Sequence, residues 1–144
     1  MEKKFFMKID YANLNLQYKN YKKSIDDAIF KVVKNSKFIM GEEVHKLEKN
    51  LAKFTGVKHA ITCSSGTDAL SLAMMAMGIQ SGDEIITTPF TWVSTAETIA
   101  FLKARPVFVD IESDTFNIDA NLIESVITKN TKAIIPVSLF GQPP

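Results

Sequence analysis

The sequence predicts an α/β fold in which a largely parallel sheet is flanked by helices and preceded by amphipathic helices. Within residues 1–56 apolar residues recur at helical spacing, whereas from Val57 onward short apolar runs alternate with helical segments and turn residues. Such alternation is typical of parallel strands whose connecting helices cover both faces of the sheet. We therefore expect an N-terminal helical segment (1–56) followed by an α/β region (57–144).

Two amphipathic helices are predicted in the N-terminal segment. The first has apolar residues at helical spacing from Tyr21 to Val33, with lysines and aspartates between them. The second has an apolar stripe from Val44 to Phe54 and is followed by Gly56, a natural position for a left-handed cap.

Strands and helices alternate in the α/β region. The expected strands cover residues 60–63, 84–87, 106–110 and 133–139, and the expected helices cover 67–77, 91–103 and 119–127. Asp119 is a suitable N-cap for the last of these helices. In a sheet built this way, ligands bind outside the carboxyl ends of the strands, where loops lead into helices.

Composition limits the classes of partner. The 17 basic and 16 acidic residues leave a formal charge of +1, which gives no global electrostatic reason to bind nucleic acid or an anionic membrane. No apolar run approaches the roughly 20 residues of a spanning helix, and the single cysteine cannot form an internal disulfide. We expect a cytoplasmic protein without nucleic-acid or membrane partners. We expect no metal site either, because the calcium-like pattern from Asp110 to Asp114 has Thr115 where the sharp turn needs glycine.

The stretch CSSGTDAL, residues 63–70, lies between an expected strand and the next helix. The first amides of a helix are unpaired donors with a partial positive charge. Gly66 would let an anion approach the backbone, and the hydroxyl of Thr67 would add a donor. The stretch lacks the glycines of a dinucleotide fingerprint and the ending of a P-loop. It indicates a phosphate site, with the alternative that Ser65 or Thr67 only caps the helix.

An aromatic residue stands at the corresponding place after the next strand. Trp92 follows the expected strand 84–87 and lies at the start of the following helix. A phosphate site beside a flat apolar face would suit an aromatic ring that carries a phosphate, because an indole can stack on such a ring. The alternative is that Trp92 packs in the core.

Six ordered stretches together resemble the front part of the pyridoxal-phosphate-dependent sugar aminotransferases of the DegT type, a branch of fold type I. The resemblance runs from about Ile9 to Gln142, and the stretches are FIMGEEV (38–44), SSGTDAL (64–70), GDEII (82–86), TWVST (91–95), PVFVD (106–110) and VSLFGQ (137–142). The closest similarity is to members that aminate the 3-keto group of a UDP-linked sugar. Residues Met1–Phe6 would then be an N-terminal extension.

The resemblance implies a cofactor and a set of contacts. Pyridoxal 5′-phosphate would have its phosphate held by Gly66 and Thr67, with Asp68 and Ala69 beside it, and its ring stacked on Trp92. Met40 and Gly41 would contact the substrate. A nucleotide sugar, UDP-linked in the closest members, would be the acceptor, glutamate the amino donor and a homodimer the assembly.

The resemblance also places two essential groups after Pro144. The Schiff-base lysine and the aspartate that pairs with the pyridinium nitrogen lie downstream of the Gly-Gln motif in the family. We therefore expect residues 57–144 to be the truncated first part of the cofactor-binding domain, in an inactive fragment with no catalytic residue of its own. Three alternatives stay open: a small non-catalytic phosphate- or nucleotide-binding module, a dimerisation module, and a sugar dehydratase in which histidine replaces the lysine.

Overall fold

A computed structural model describes residues 11–143, so the expected N-terminal extension, Met1–Phe6, lies outside the described residues. The chain divides into two compact units, one ending at Thr62 and the other beginning at Cys63.

The first unit contains two helices, which confirms the amphipathic pattern. Helix α1 spans Leu14–Asn35 and begins at Asn13, whose side-chain oxygen accepts a hydrogen bond from the Leu16 amide at 2.8 Å. Helix α2 spans Glu42–Thr55 and ends at Gly56 in the left-handed conformation, with φ of 73°. No residue of either helix is buried, so both helices present their apolar stripes on the surface of the described chain.

The second unit is an α/β structure. Its elements in chain order are α3 (Gly66–Ala76), β1 (Glu84–Thr87), α4 (Ser94–Phe101), β2 (Arg105–Phe108), α5 (Ala120–Val126) and β3 (Thr131–Ile135). The strands form a parallel sheet in the order β2-β1-β3, so the second crossover passes over the central strand. The expected parallel sheet flanked by helices is confirmed.

The core lies on both faces of β1, whose isoleucines are fully buried. Ile85 packs with Met74 of α3 and Ile99 of α4 on one face, and Ile86 packs with Val109 and Ile118 on the other. The periodicity of a strand explains this division, because successive side chains point to opposite faces. Helices α3 and α4 therefore cover one face of the sheet, and the chain between β2 and β3, which includes α5, covers the other.

The expected strand over residues 60–63 is wrong. The segment is extended without strand pairing, and Thr62 instead gives both its amide and its hydroxyl to Oε1 of Glu48, at 3.1 and 3.0 Å. A strand requires a neighbouring strand to accept its backbone hydrogen bonds, and no strand in residues 11–143 pairs with this segment. The expected strand 133–139 is also shorter, since it ends at Ile135, before Pro136, which has no amide hydrogen to donate.

A buried carboxylate fastens the amino edge of the sheet. Glu84, at the start of β1, is 3% exposed and accepts hydrogen bonds from the guanidinium of Arg105 in β2 and from the hydroxyl of Thr128, the latter at 2.6 Å. The Thr128 hydroxyl and then the Arg105 guanidinium stabilise the carboxylate, and they hold the pKa of Glu84 below its ordinary value. These contacts of Glu84 with Arg105 and Thr128, which we call the Glu84 clamp, connect all three strands, because Thr128 precedes β3 by three residues.

Across residues 11–143, no helix combines the length and the hydrophobicity that crossing a bilayer requires.

Candidate functional site

Helices α3 and α4 both begin toward the carboxyl edge of the sheet. Each is followed by a strand that starts at the opposite, amino edge, and the two helices pack against each other. Helix α3 has 11 residues, a length of about 16 Å at 1.5 Å per residue, which is enough to cross the face of a short sheet. The chain immediately before each helix therefore belongs to the edge where ligands of parallel sheets bind.

Ser65 caps helix α3. Its backbone is extended, its side-chain oxygen accepts a hydrogen bond from the Asp68 amide at 3.1 Å, and its carbonyl accepts one from the Ala69 amide at 3.0 Å. The hydroxyl of Ser64 donates to the carboxylate of Asp68. The capping interpretation of this stretch is therefore correct for Ser65, and the question becomes which donors the cap leaves available.

The amides of Gly66 and Thr67 are the available donors. Within the described chain neither donates a hydrogen bond, and the hydroxyl of Thr67 also has no partner there. A Cβ added at Gly66 would meet no atom within 4 Å, so the space above the first turn is open. Two free amides at the positive end of a helix dipole, with a hydroxyl beside them, fit a phosphate group well.

Asp68 and Ala69 contribute differently from their neighbours. The amides of both residues are already bonded to Ser65, and the Asp68 carboxylate holds Ser64. These two residues therefore shape the turn that presents Gly66 and Thr67. Their predicted place beside the cofactor stays a prediction.

Trp92 does not pack in the core of the described chain, since it is 76% exposed. It lies just before α4, which begins at Ser94 and not at Thr91 as expected, and its carbonyl accepts a hydrogen bond from the Thr95 amide at 3.2 Å. An indole with this exposure at the carboxyl edge is accessible to a ligand. The predicted stacking on a cofactor ring is compatible with this exposure.

The predicted substrate residues, Met40 and Gly41, lie in a strained turn of the first unit. Met40 has a left-handed backbone with φ of 45°, and a Cβ added at Gly41 would lie 2.6 Å from the carbonyl oxygen of Lys37. Glycine is required at position 41 because a side chain has no room there. The turn displays Phe38, Ile39 and Met40 with 65%, 90% and 57% exposure, which suits a surface that contacts another molecule.

The sequence interpretation missed an aromatic cluster, formed by Phe90, Phe116 and Phe140. One ring follows each strand: Phe90 stacks on Phe116 with 5.7 Å between centroids, and Phe140 meets Phe116 edge-on at 5.5 Å. A signal was available, because each of the last three predicted strands is followed within six residues by a phenylalanine. The cluster lies at the same carboxyl edge as Trp92.

Two lysines lie near the sheet, and neither reaches this edge by its place in the chain. Lys103 lies between α4 and β2, where its carbonyl accepts a hydrogen bond from the Gly82 amide at the amino edge, and Lys132 is the second residue of β3. Residues 11–143 also contain no cluster of histidine, cysteine and carboxylate side chains suited to a metal ion.

Comparison with known proteins gives consistent results. A profile of the DegT/DnrJ/EryC1/StrS aminotransferase family matches residues 19–144. The chain is 50% identical over 134 residues to the UDP-2-acetamido-2-deoxy-3-oxo-D-glucuronate aminotransferase of Pseudomonas aeruginosa, covering 93% of the chain. It is 40% identical over 135 residues to a UDP-N-acetyl-3-dehydro-alpha-D-glucosamine 3-aminotransferase of Acidithiobacillus ferrooxidans, covering 94%. The chain spans only 37% of the length of each of these relatives.

Solved structures share the fold. DesV of S. venezuelae has a TM-score of 0.92 at 31% identity, with 96% of this chain and 38% of that chain covered. NtdA of Bacillus subtilis, solved with the cofactor PMP, has a TM-score of 0.91 at 29% identity, with 100% and 33% covered. A GDP-4-keto-6-deoxymannose-3-dehydratase with a trapped PLP–glutamate adduct has a TM-score of 0.76 at 36% identity, with 82% and 32% covered.

Proposed function

The chain belongs to the DegT/DnrJ/EryC1/StrS aminotransferase family, and on that premise we propose that it forms the phosphate-binding part of an enzyme that transfers an amino group to a keto sugar nucleotide. Proteins of this family carry pyridoxal or pyridoxamine phosphate. The observation that carries the proposal is the start of α3, where the amides of Gly66 and Thr67 have no partner in the described chain and a Cβ at Gly66 would meet open space.

Each residue of the site has a role in this proposal. Gly66 and Thr67 hold the cofactor phosphate through two amides and one hydroxyl, in a turn that Ser65 and Asp68 keep in shape. Trp92 covers one face of the cofactor ring and keeps water from it. The cofactor, when bound, supplies the electron sink that lets an amino group move between an amino acid and a keto group.

The substrate assignment follows the two curated relatives. Both are named as aminotransferases of UDP-linked 3-oxo or 3-dehydro sugars, so we propose a UDP-linked 3-keto sugar as acceptor and glutamate as donor. Met40 and Gly41 would contact the substrate from a turn whose exposed apolar side chains suit an interface. We also propose a cytoplasmic homodimer, with the catalytic lysine supplied by chain beyond the matched region.

A chimera tests this proposal. The chain would replace the matching 134-residue portion of the Pseudomonas aeruginosa relative, and the product would be assayed for cofactor retention and for amination of that relative's keto sugar. We expect both, with the double variant Thr67→Val, Trp92→Ala as the control that folds but loses cofactor. A folded chimera that retains no cofactor would contradict the proposal. The 144 residues alone should show no aminotransferase activity.

The similarity to a 3-dehydratase supports a second candidate function. A dehydratase would release water from the sugar and leave a deoxy product, whereas an aminotransferase leaves an amino sugar. The residue at the lysine position in the complete reading frame distinguishes the two, since histidine there favours dehydration. A reading frame that ends at Pro144 in the mature protein, with a stable product that binds phosphate compounds, would favour the non-catalytic module.

A further inference from the structure

The aromatic cluster contains a residue with an unfavourable backbone. Phe116 has φ of 59°, a left-handed conformation that L residues with a side chain rarely adopt. Strained backbone of this kind persists only where the surroundings hold it, and it concentrates at functional sites. Phe116 also lies at the carboxyl edge of the sheet, the edge that holds the proposed cofactor site.

The loop around Phe116 is held from several sides. The Phe116 amide donates to the Glu112 carbonyl at 3.1 Å, and the Thr115 hydroxyl donates to the Glu112 carboxylate at 2.7 Å. Asn117 is 5% exposed, and its side-chain amide donates to the carbonyl of Pro143 at 3.3 Å. The loop is therefore fixed both within itself and to the chain that follows β3.

The ring of Phe116 contacts the segment that carries Trp92. Phe90 stacks on Phe116 at an interplanar angle of 29° and stands two residues before Trp92. At one end of the segment the Phe90 amide donates a hydrogen bond to the Thr88 hydroxyl at 3.2 Å. At the other end the Thr95 amide donates one to the Trp92 carbonyl at 3.2 Å. The Phe90–Phe116 ring pair joins this segment to another loop.

Burial alone does not account for the cluster. Phe90, Phe116 and Phe140 are 43%, 39% and 69% exposed, so the rings gain less from leaving water than core residues would. Phe116 is thus a half-exposed aromatic residue with a left-handed backbone, and it touches the segment that presents an exposed indole.

We propose that Phe116 is a positioning residue: through Phe90 it holds the Thr88–Trp92 segment so that the Trp92 indole presents one orientation toward the cofactor ring. The inference rests on the proposed function, in which Trp92 supplies the stacking face. Its first consequence, that Phe116 restricts the motion of Trp92, holds without any cofactor.

The chain contains a single tryptophan, so its fluorescence reports on Trp92 alone. Time-resolved fluorescence anisotropy of the 144-residue chain would be measured for the wild type, Phe116→Leu, Phe116→Tyr and Phe101→Leu. Phe101 is the matched control, because it is 68% exposed and ends α4 at the far end from Trp92. Loss of the stacked pair should raise the ratio of mobile to immobile Trp92 conformers, as the anisotropy decay resolves them, about 2- to 12-fold in Phe116→Leu. Phe116→Tyr and Phe101→Leu should stay close to the wild type.

Titration with pyridoxine 5′-phosphate separates this inference from the proposed function. Failure of the wild type to bind that compound would count against the proposed function, while the anisotropy would still decide the role of Phe116. Unchanged anisotropy in Phe116→Leu, an equal change in Phe101→Leu, or a wild-type indole that already rotates freely would each overturn the inference. Should Phe116→Leu lose its circular dichroism, Phe90→Leu removes the same ring pair from the other side and is judged by the same criteria.

Discussion

Replacing Thr67 with valine tests the proposed phosphate site with little change to the fold. Valine keeps the β-branched shape of threonine, and the Thr67 hydroxyl donates to no group in the described chain, so no internal hydrogen bond is lost. A hydroxyl that donates to a charged phosphate contributes about 1–3 kcal/mol. The dissociation constant for the phosphate ligand should therefore rise roughly 5- to 150-fold.

The ligand for this experiment should carry the phosphate but no aldehyde. Pyridoxine 5′-phosphate meets this need, because surface lysines cannot form an imine with it, and calorimetric titration gives its affinity without relying on Trp92. Thr55→Val is the matched control, since the Thr55 hydroxyl donates only to the Leu51 carbonyl within α2, at 2.7 Å. Pyridoxine without phosphate should bind the wild type and Thr67→Val equally.

Equal affinity of the wild type and Thr67→Val for pyridoxine 5′-phosphate would refute the assignment of Thr67. Equal losses in Thr67→Val and Thr55→Val would also refute it, because the effect would then come from general destabilisation. A loss of affinity for both the phosphorylated and the unphosphorylated compound would indicate that Thr67 contacts the ring and not the phosphate.

Three further predictions address other parts of the chain. Trp92→Ala should weaken cofactor binding and alter the absorption spectrum of the cofactor bound to the chimera, whereas Trp92→Phe should preserve both because a stacking face remains; identical behaviour of the two variants would remove Trp92 from the site. Gly41→Ala should lower the free energy of unfolding by about 1–3 kcal/mol, because the new methyl group meets the Lys37 carbonyl at 2.6 Å, while Gly66→Ala, with open space around it, should cost little; denaturant unfolding followed by circular dichroism measures both. Because the folded protein holds the pKa of Glu84 below its ordinary value of 4.5, the ionised carboxylate stabilises the fold above that pH, and this stabilisation is lost as the pH falls through the lower pKa of the folded state. The free energy of unfolding of Glu84→Gln should therefore differ from that of the wild type most at pH 7 and least in acid. A difference independent of pH would argue against the Glu84 clamp.

Local patterns in the sequence were sufficient to predict most of the second unit. The helix at Gly66–Ala76 and the strand at Glu84–Thr87 follow from apolar periodicity and turn residues, which are properties of neighbouring positions. The cap at Gly56 was predicted because only glycine adopts a left-handed conformation at no steric cost. Each of these features depends on residues within one turn or one strand of each other.

The features that depend on distant residues were not predictable in the same way. Residues 60–63 have the composition of a strand, but a strand forms only where another strand lies beside it, and sequence composition does not report that neighbour. The contact of Thr62 with Glu48 joins residues 14 positions apart, and the Phe90–Phe116 pair joins residues in different loops. That the amides of Gly66 and Thr67 are free of partners within the described chain was predictable, because a helix start always leaves such donors.

The described groups at the two edges of the sheet differ in what they do. At the amino edge, the buried Glu84 is bonded to Arg105 and Thr128, so this carboxylate contributes to stability. At the carboxyl edge, free amides begin α3, an indole is 76% exposed, and Phe116 holds a left-handed backbone. Unsatisfied and strained groups lower stability, and proteins often retain them at functional sites. The free amides of α3 and the exposed indole lie at the same edge, and together they support the proposal that the ligand binds there.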